Sequence, residues 1–471
     1  MRIGRRAWIA GSLALTALSP TGLHANPDKV NELYLESCAA CHGSKFEGGL
    51  GCNLADGQWK HGSADTDIAR VISQGLPNLG MPAYEKTLSA EQIRSLVVYL
   101  REKEKSAASQ SSPPPQPKEG AAVKSLLHDY KVETVIEGDL KTPWSLAFLP
   151  DGRQLVTERP GSLRMVDTNL LPEPISGTPK VIELGQGGLL DVVPSPDFAK
   201  DGWIYLAFAD PLDGEKKGAM LKIVRGRIRD HAWTDEEVIF QAAPEFYSPA
   251  SVHFGTRMVF DSGYLYFIVG ERGGMLEAQD ISRPNGKIYR VYPDGRIPED
   301  NPFVAGKNAI PGIWSYGHRN PQGLAIDPRD HAIYATEHGP RGGDEFNIIR
   351  KGANYGWPVI SYGMNYNGTP LTGITQKDGM EQPLVQWTPS IAACGLTCYT
   401  GDKFPNWKYD FFAGGLRGEL HRIRIQNGKP IADEILLSGL GRVRDVRSGP
   451  DGFLYIILNQ PDRIVRLVPA E

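Results

Sequence analysis

The feature that most constrains the fold is a pattern of apolar strand, turn and apolar strand that recurs from residue 143 onward. In each copy an apolar run leads into a turn, and the clearest example is PWSLAFLPDG. The six copies begin at Pro143, Leu189, Gly255, Pro321, Ile391 and Val443. Their mean spacing of about 60 residues leaves room for four short strands and the turns between them.

A repeat of this kind predicts a mainly β domain over residues 123–471, because each four-stranded unit must bury its faces against its neighbours. Six such units arranged radially form a six-bladed β-propeller. The apolar strand near residues 130–136 is then expected to pair into the last blade and close the ring. An open array of β-sandwiches is the alternative architecture.

A short motif near the N-terminus indicates covalently bound haem c. Cys38, Cys41 and His42 form the C-x-x-C-H of c-type haem attachment, in which two thiols add to the haem and the histidine binds its iron. Met81, in a Gly-Met-Pro turn, is the expected second axial ligand, because a Met/His pair raises the iron potential and suits electron transfer. His61 is the rival ligand.

The residues around this motif predict a small all-α domain over residues 26–104. Ser89 begins a capping box with Gln92, and apolar residues then recur at helical spacing as far as Leu100. A shorter apolar repeat around Ile68 predicts another helix. The arrangement resembles the small class I cytochromes c.

Two further segments complete the expected domain organisation. Residues 1–25 combine arginines, an apolar run and small residues, which predicts a cleaved signal peptide and a periplasmic protein. A retained anchor is the weaker alternative, and Arg5-Arg6 leaves twin-arginine export open. Residues 105–122 lack large apolar side chains and are expected to form a flexible linker that could span about 50 Å.

Composition excludes some classes of partner. A formal net charge of -4 gives no basic surface for nucleic acid. No segment after residue 25 approaches the run of about 20 apolar residues that a membrane-spanning helix needs. We therefore expect no nucleic-acid partner and no membrane span after signal cleavage.

Several stretches of the C-terminal domain carry a family resemblance. GQGGLLDV, SYGHRNPQGLA, EHGPRGGDE, NYGWP and GRVRDVRSGPDG resemble the soluble quinoprotein sugar dehydrogenases, and most of all the aldose sugar dehydrogenase branch. The resemblance covers nearly all of residues 128–471. It implies a six-bladed propeller that binds pyrroloquinoline quinone (PQQ) and Ca²⁺ and that oxidises aldose sugars.

The resemblance also implies a set of PQQ-binding residues. PQQ carries three carboxylates, and guanidinium groups suit such a ligand. The implied residues are Gln186, Arg319, Asn320, Gln322, Arg417, Arg442 and Arg444. Arg417 stands where the family usually has Lys, which keeps the positive charge but changes its shape.

Catalytic and calcium-binding residues follow from the same resemblance. His253 matches the general base that takes the sugar hydroxyl proton, and Glu271 matches the carboxylate that orients the base. If His253 is not the base, Asp191 is the next candidate, which the resemblance does not itself imply. The implied calcium ligands are Gly339, Pro340, Asp344 and Tyr355. Val252 replaces an Asp that contacts sugar in the soluble glucose enzymes, and their long insertions are absent, which suggests broad aldose selectivity.

The three remaining cysteines give no firm assignment. Cys394 and Cys398 would lie about 13 Å apart in an extended strand, beyond disulfide reach, although Gly395 could turn the chain. Cys52 is expected to be buried near the haem.

Two functions are compatible with these residues. The first is a PQQ-dependent aldose dehydrogenase that passes electrons to its own haem and then to a downstream acceptor of the respiratory chain. The second is a non-catalytic propeller that binds a sugar or a protein, with the haem as a sensor or electron carrier. Because the linker is expected to be flexible, the first hypothesis predicts transient docking of the haem domain over the open face of the propeller.

Overall fold

The structure is a computed structural model that describes residues 28–167, 169–212 and 218–470. The predicted signal peptide lies outside the described residues. A small helical domain is followed by a ring of six β-sheets, so the predicted fold class, mainly β with a small all-α domain in front, is confirmed. Within the described ranges, no helix is both long and apolar enough to cross a membrane.

In the described part of the chain, four α-helices build the N-terminal domain, and a fifth, short α-helix belongs to the propeller. The helices are α1 (Lys29–Ser37), α2 (Ala39–His42), α3 (Asp65–Gln74), α4 (Ala90–Ser111) and α5 (Phe198–Asp201). Apolar residues of α1, α3 and α4 pack into one cluster that includes Tyr34, Ile68 and Leu96. Ser89 caps α4 by accepting a hydrogen bond from the amide of Gln92 at 3.2 Å, as the capping box predicts.

Helix α4 continues seven residues beyond the boundary expected at residue 104. Residues 105–111 contain Lys, Ser, Ala and Gln, all of which a helix accepts when no proline intervenes. The helix ends at Ser111, and Ser112 then leaves the helical conformation immediately before Pro113. Proline disfavours the helical conformation of the residue before it, which explains why the helix ends here. The last seven residues of the helix were not predicted, because their composition is also typical of a linker.

The rest of the expected linker lies along the propeller. Pro117 is buried, and the carbonyl of Pro115 accepts hydrogen bonds from the amide and the hydroxyl of Ser438 at 2.7 and 3.3 Å. Val123 pairs with Tyr130 in an antiparallel bridge. This segment therefore contacts the propeller through backbone groups and a buried proline, which need no large apolar side chains.

Each sheet is one blade of the propeller. The first blade contains β2 (Pro143–Phe148), β3 (Gln154–Glu158) and β4 (Leu163–Val166). The second contains β5 (Leu189–Pro194), β6 (Ile204–Leu212), β7 (Gly218–Arg229) and β8 (Ala232–Gln241). The third contains β9 (Met258–Asp261), β10 (Tyr264–Val269), β11 (Lys287–Val291) and β12 (Ile313–Tyr316).

The other three blades follow the same antiparallel order. The fourth contains β13 (Pro321–Ile326), β14 (Ile333–Glu337), β15 (Asp344–Ile349) and β16 (Val385–Trp387). The fifth contains β17 (Ala393–Cys398), β18 (Phe411–Gly415), β19 (Leu420–Gln426) and β20 (Lys429–Leu437). The last contains β21 (Arg442–Ser448), β22 (Leu454–Asn459), β23 (Arg463–Pro469) and β1 (Tyr130–Glu137).

The ring closes as the sequence predicts. Strand β1 pairs antiparallel with β23, which joins the start of the propeller to its end. The first strand of each blade contacts the first strand of the next, and β21 contacts β2. These six inner strands begin within three residues of the six predicted repeat starts. They surround the centre of the propeller, and the loops at their ends carry the candidate site.

Candidate functional site

The predicted base and its carboxylate meet at one end of the third blade. His253 precedes β9 and Glu271 follows β10, so the β9–β10 hairpin brings them together. His253 Nδ1 forms a hydrogen bond with Glu271 Oε1, and the Glu271 side chain is fully buried. This contact leaves Nε2 as the ring nitrogen that can accept a proton from a substrate.

The backbone at His253 is held in an unusual conformation. His253 has φ 53°, in the left-handed region that non-glycine residues adopt at a cost of about 1–3 kcal/mol. The side chain of Gln186 accepts a hydrogen bond from the His253 amide at 2.8 Å. Gln186 thus reaches the predicted base, as the resemblance implies.

Arg272 supports the same loop from behind, and sequence reasoning missed it. Its guanidinium lies 3.3 Å from the centre of the Phe254 ring and donates hydrogen bonds to the carbonyls of Val252 and Ala250. Burial lowers the pKa of Arg272 to about 9. Its position next to Glu271 was the one available signal.

Electrostatics at the His253 pair favour a neutral imidazole. Burial lowers the pKa of His253, and the positive charges of Arg319 and Arg272 lower it further, against the opposing effect of Glu271. Burial acts to raise the pKa of Glu271, but its hydrogen bond with His253 and nearby positive charge lower that pKa overall. The pair therefore combines a neutral base with an ionised carboxylate.

Arg319 and Asn320 join this pair to the fourth blade. The Asn320 side chain accepts a hydrogen bond from the Gly255 amide at 3.1 Å. Arg319 Nη1 donates to the carbonyls of His338 and Gly339 at 3.1 and 2.7 Å. Both predicted residues therefore lie between the His253 loop and the loop that follows β14.

A cavity opens beside Arg319. It is lined by Arg319, Glu337, His338, Gly339, Pro340, Gly343, Glu345, Tyr355, Trp357, Ile360 and Ser361. Three of its buried nitrogens have no hydrogen-bond partner among the described residues: Arg319 Nε, His338 Nε2 and Trp357 Nε1. Buried polar atoms without partners are rare in proteins, so a cavity that gathers three of them suits a ligand rich in acceptors.

His338 connects this cavity to other predicted arginines. Burial lowers the pKa of His338 well below its usual range, and positive charge from Arg319, Arg444, His253 and Arg442 adds to this effect. The sequence interpretation passed over His338, although it stands inside EHGPRGGDE, directly before Gly339.

The remaining predicted PQQ residues divide into a buried pair and an exposed pair. Arg444 donates to the Gln322 side chain at 3.0 Å and contacts Cys394 Sγ at 3.4 Å. Arg442 and Arg417 are exposed, and they lie on neighbouring turns, since Gly418 packs against Gly441.

The predicted calcium residues do not all face the cavity. Gly339, Pro340 and Tyr355 line it, but the two Asp344 oxygens accept hydrogen bonds from the amides of Gly339 and Ala393 at 3.0 and 2.7 Å. The neighbouring Glu345 lines the cavity instead. The alternation of side chains along β15 separates the two carboxylates.

Two acidic side chains, Glu337 and Glu345, line the cavity. Burial raises the pKa of Glu345 to about 8, and repulsion from Glu337 and Asp344 contributes. Within the part of the chain that the structure describes, no group of three or more His, Cys, Asp or Glu side chains forms a metal-binding cluster. Any cation here would therefore depend on backbone carbonyls as well as carboxylates.

Asp191, the second candidate base, has a different place. Its carboxylate is fully buried, accepts hydrogen bonds from Ser145 Oγ and the Met258 amide at 2.6 and 2.7 Å, and pairs with Arg257 and Arg447 at 2.9 Å. These four contacts hold both carboxylate oxygens and link the second blade to its neighbours around the centre of the ring.

The haem-attachment residues lie on or next to one short helix, α2. Cys38 precedes α2, and Cys41 and His42 end it. His42 Nδ1 hydrogen-bonds to the Cys52 carbonyl at 2.8 Å, and a Cβ on Gly51 would lie 2.6 Å from the imidazole ring. Glycine at this position therefore leaves room for the histidine, and the Cys52 carbonyl fixes the ring with Nε2 available to a metal.

Met81 packs beside the same apolar cluster and pairs with Leu76 in an antiparallel bridge. His61, the rival ligand, is exposed, and its carbonyl accepts a hydrogen bond from Arg70 at 3.0 Å. The structure thus places Met81 closer to the haem-domain core than His61.

The cysteine expectations are partly wrong. Cys52 is exposed and contributes its backbone carbonyl, not a buried thiol. Cys394 and Cys398 are both buried and unpaired. They lie on one strand, β17, and the extended backbone keeps their sulfurs apart.

Comparison with known proteins agrees with both domains. The sequence profile described as glucose / sorbosone dehydrogenase matches residues 140–466, and that described as cytochrome c oxidase, cbb3-type, subunit III matches residues 25–100. The chain is 42% identical over 335 residues to aldose sugar dehydrogenase YliI of Escherichia coli (strain K12). The matched region covers 69% of this chain and 89% of that protein.

Solved structures show the same relationship. The soluble aldose sugar dehydrogenase from Escherichia coli, in the apo-form, is 40% identical with a TM-score of 0.68, over 72% of this chain and 100% of that chain. The PQQ-bound form of aldose sugar dehydrogenase from Streptomyces coelicolor is 28% identical with a TM-score of 0.59, over 74% of this chain and 99% of that chain. The chain therefore belongs to the glucose/sorbosone dehydrogenase family and carries a cytochrome c domain at its N-terminus.

Proposed function

We propose that this protein oxidises the C1 hydroxyl of aldose sugars to a lactone with PQQ and passes the electrons to a covalently attached haem c in the same chain. The observation that carries this proposal is the His253–Glu271 pair, which lies next to Arg319 and its cavity in a propeller of a sugar dehydrogenase family. The cytochrome c domain favours a redox reaction, because a sugar-binding module has no need of a haem.

His253 acts as the general base. Its Nε2 accepts the proton of the sugar hydroxyl, and burial keeps the imidazole neutral and ready to do so. Glu271 holds Nδ1 and stabilises the positive charge that the ring gains. PQQ, when bound, supplies the quinone that takes the hydride from the sugar carbon.

The residues around the cavity fit the chemistry of PQQ. The carboxylates of PQQ require cationic donors, and Arg319 and Arg444 supply buried ones, while Arg442 and Arg417 are exposed and would supply further positive charge. Arg319 Nε, His338 Nε2 and Trp357 Nε1 would gain the partners that they lack among the described side chains. Gln186, Asn320 and Gln322 complete the set of polar groups.

The same cavity is our candidate site for a calcium ion. Calcium takes oxygen ligands, and the carbonyls of Gly339 and Pro340 would supply two of them. Glu345 and Tyr355 also line the cavity. Asp344 would not bind the ion directly. Its carboxylate accepts a hydrogen bond from the Gly339 amide and would thereby position the Gly339 backbone.

The haem would be held by the N-terminal domain. Cys38 and Cys41 would form its two thioether bonds, with His42 and Met81 as axial ligands of the iron. We further propose a periplasmic location after removal of residues 1–25, with a downstream acceptor in the respiratory chain. Val252, in place of a carboxylate near the sugar, favours a broad range of aldoses.

The proposal is tested with the purified haem-loaded protein. PQQ and Ca²⁺ are added, each aldose of a panel is supplied, and the haem absorption band is followed alongside reduction of an artificial dye. The proposal is supported if the haem and the dye are both reduced, and only when sugar, PQQ and Ca²⁺ are all present. Sugar binding without any reduction would contradict it and favour a non-catalytic propeller.

A further inference from the structure

The cytochrome domain is docked on the propeller by a defined surface. We call the propeller side of this surface the docking platform, residues 340–343 and 362–368, which belong to the fourth blade. On the other side are the start of α1 and one face of α4. The Lys29 amide donates to the Asn367 carbonyl at 3.0 Å, and Val98 packs against Gly342.

Arg341 is the main polar contact across this surface. Its Nε and Nη2 donate to the two carboxylate oxygens of Glu102 at 2.9 and 2.6 Å, and Nη1 donates to Asp28 at 2.8 Å. Its side chain is 16% exposed. One guanidinium thus joins α4 and the start of α1 to the propeller with the paired geometry that makes such bonds strong and directional.

Apolar packing strengthens the same contact. Met364 of the platform is fully buried and belongs to the apolar cluster of the cytochrome domain. The backbones of Met364 and Arg341 pair through two hydrogen bonds of 3.0 and 2.9 Å. Since the platform contributes a side chain to the cytochrome core, the docked arrangement is a packed interface.

Two further contacts fix the orientation of α4. Near its beginning, Arg94 donates to the Tyr362 carbonyl of the platform and to Asp65 of its own domain. Near its end, Lys105 pairs with Glu419 of the fifth blade at 3.2 Å. Helix α4 is therefore held along much of its length.

The platform also forms one wall of the cavity beside Arg319, which we call the candidate cofactor cleft. Gly339, whose carbonyl accepts from Arg319, stands two residues before Arg341, and Pro340 lines the cavity. Cα atoms two residues apart are separated by at most about 7 Å. One short loop thus faces the cofactor cleft on one side and the cytochrome domain on the other.

We propose that Arg341 is a positioning residue for electron transfer, which holds the cytochrome domain docked against the wall of the cofactor cleft so that electrons cross without a docking search. The proposal rests on the proposed function. Oxidation of one sugar releases two electrons, and each reduces one ferric haem to the ferrous state. An external acceptor must reoxidise the haem between the two transfers.

The contact can be tested by charge reversal from the cytochrome side. Glu102→Arg places a positive charge against Arg341, and Glu102→Gln is a milder variant in case the reversal impairs folding. Glu102→Arg combined with Arg341→Glu restores the opposite charges. Glu36→Arg makes the same charge change at an exposed position of α1 and serves as the matched control.

Two measurements on haem-loaded protein report the result. Small-angle X-ray scattering, without sugar or PQQ, gives the radius of gyration and hence the docked state. After reconstitution with PQQ and Ca²⁺, stopped-flow spectroscopy gives the rate of haem reduction by sugar, and an artificial dye gives the activity of the propeller alone.

We expect Glu102→Arg to increase the radius of gyration and to slow haem reduction at least about tenfold, because breaking one side of a hydrogen-bonded charge pair weakens association strongly. Dye-linked activity should stay at the level of wild type. Glu102→Gln should change both properties less. The double variant should regain much of the wild-type radius of gyration and rate of haem reduction, and Glu36→Arg should match wild type in both.

Unchanged scattering and unchanged haem reduction in Glu102→Arg would overturn the proposal. An expanded molecule with normal haem reduction would also overturn it, since docking would then not limit electron transfer. Absence of dye-linked activity in every protein, wild type included, would instead count against the proposed function, while scattering would still decide whether Arg341 holds the domains together.

Discussion

At the scale of single residues, the candidate site depends on side chains whose charge is set by burial. His253, Arg272 and His338 all have a lowered pKa, chiefly because they are buried. The family resemblance implied His253 and Glu271, and the structure brings the two into contact. The other two could not be predicted, because their roles depend on burial and on backbone carbonyls that no pattern of residue types reveals.

Replacement of the base tests the central residue. His253→Ala should lower kcat by about 10²–10⁴-fold, the usual effect of losing a general base, while PQQ binding is retained. Steady-state kinetics and PQQ titration measure the two effects. His331→Ala, at an exposed histidine that pairs with Asp261, is the matched control. Near-normal turnover in His253→Ala would move the role of base elsewhere.

The pH dependence tests the charge state of the same pair. Because the pKa of His253 is lowered, turnover should fall only when the pH drops below the value of about 6.5 for an unperturbed histidine. Glu271 raises the pKa of His253, so Glu271→Gln should shift this acid limb to still lower pH and reduce the plateau rate. Glu277→Gln is a nearby control. An acid limb that moves to higher pH in Glu271→Gln would contradict the assignment.

The axial ligand of the haem is tested by one substitution. Met81→Ala should lower the reduction potential and remove the sulfur-to-iron charge-transfer band, because a thioether ligand favours the ferrous state. Visible spectroscopy and a redox titration measure both properties, with His61→Ala as the control. An unaltered band in Met81→Ala would exclude Met81 as the ligand.

At the scale of elements, the sequence predicted the blades better than the helices. Apolar alternation and turns repeat six times and locate the inner strand of each blade. The end of α4 was missed because Ser, Ala and Gln are compatible with a linker as well as with a helix. Among the residues that the structure describes, the first blade has three strands where four were expected. Such differences depend on packing between elements, which local patterns do not record.

The ion pairs between the inner strands should matter for stability and not for chemistry. Asp191→Asn removes one of the two buried carboxylates that pair with Arg257 and leaves Asp445 as the other. Breaking a buried ion pair typically costs about 3–5 kcal/mol, and the remaining partner should keep the loss towards the lower end of that range. Thermal unfolding should show a large drop in Tm, whereas the exposed Asp197→Asn should have little effect. Normal stability together with lost turnover in Asp191→Asn would instead support a catalytic role for Asp191.

At the scale of the whole molecule, the cytochrome domain packs against the propeller through contacts that the sequence did not predict. The segment after α4 has the composition of a flexible linker, and nothing in the sequence pairs Arg341 with Glu102 and Asp28. These contacts join residues more than 230 positions apart. They could not be predicted without the fold. The structure therefore replaces transient docking on a tether by a packed interface beside the candidate cofactor cleft.

The rate of haem reduction as a function of enzyme concentration tests the account most directly. The haem-loaded protein, reconstituted with PQQ and Ca²⁺, is mixed with excess aldose in a stopped-flow spectrometer over a wide range of protein concentrations. Because the acceptor is docked in the same chain, haem reduction should be first order with a rate constant independent of protein concentration. A rate constant that rises in proportion to protein concentration would show that electrons pass between molecules and would contradict the account.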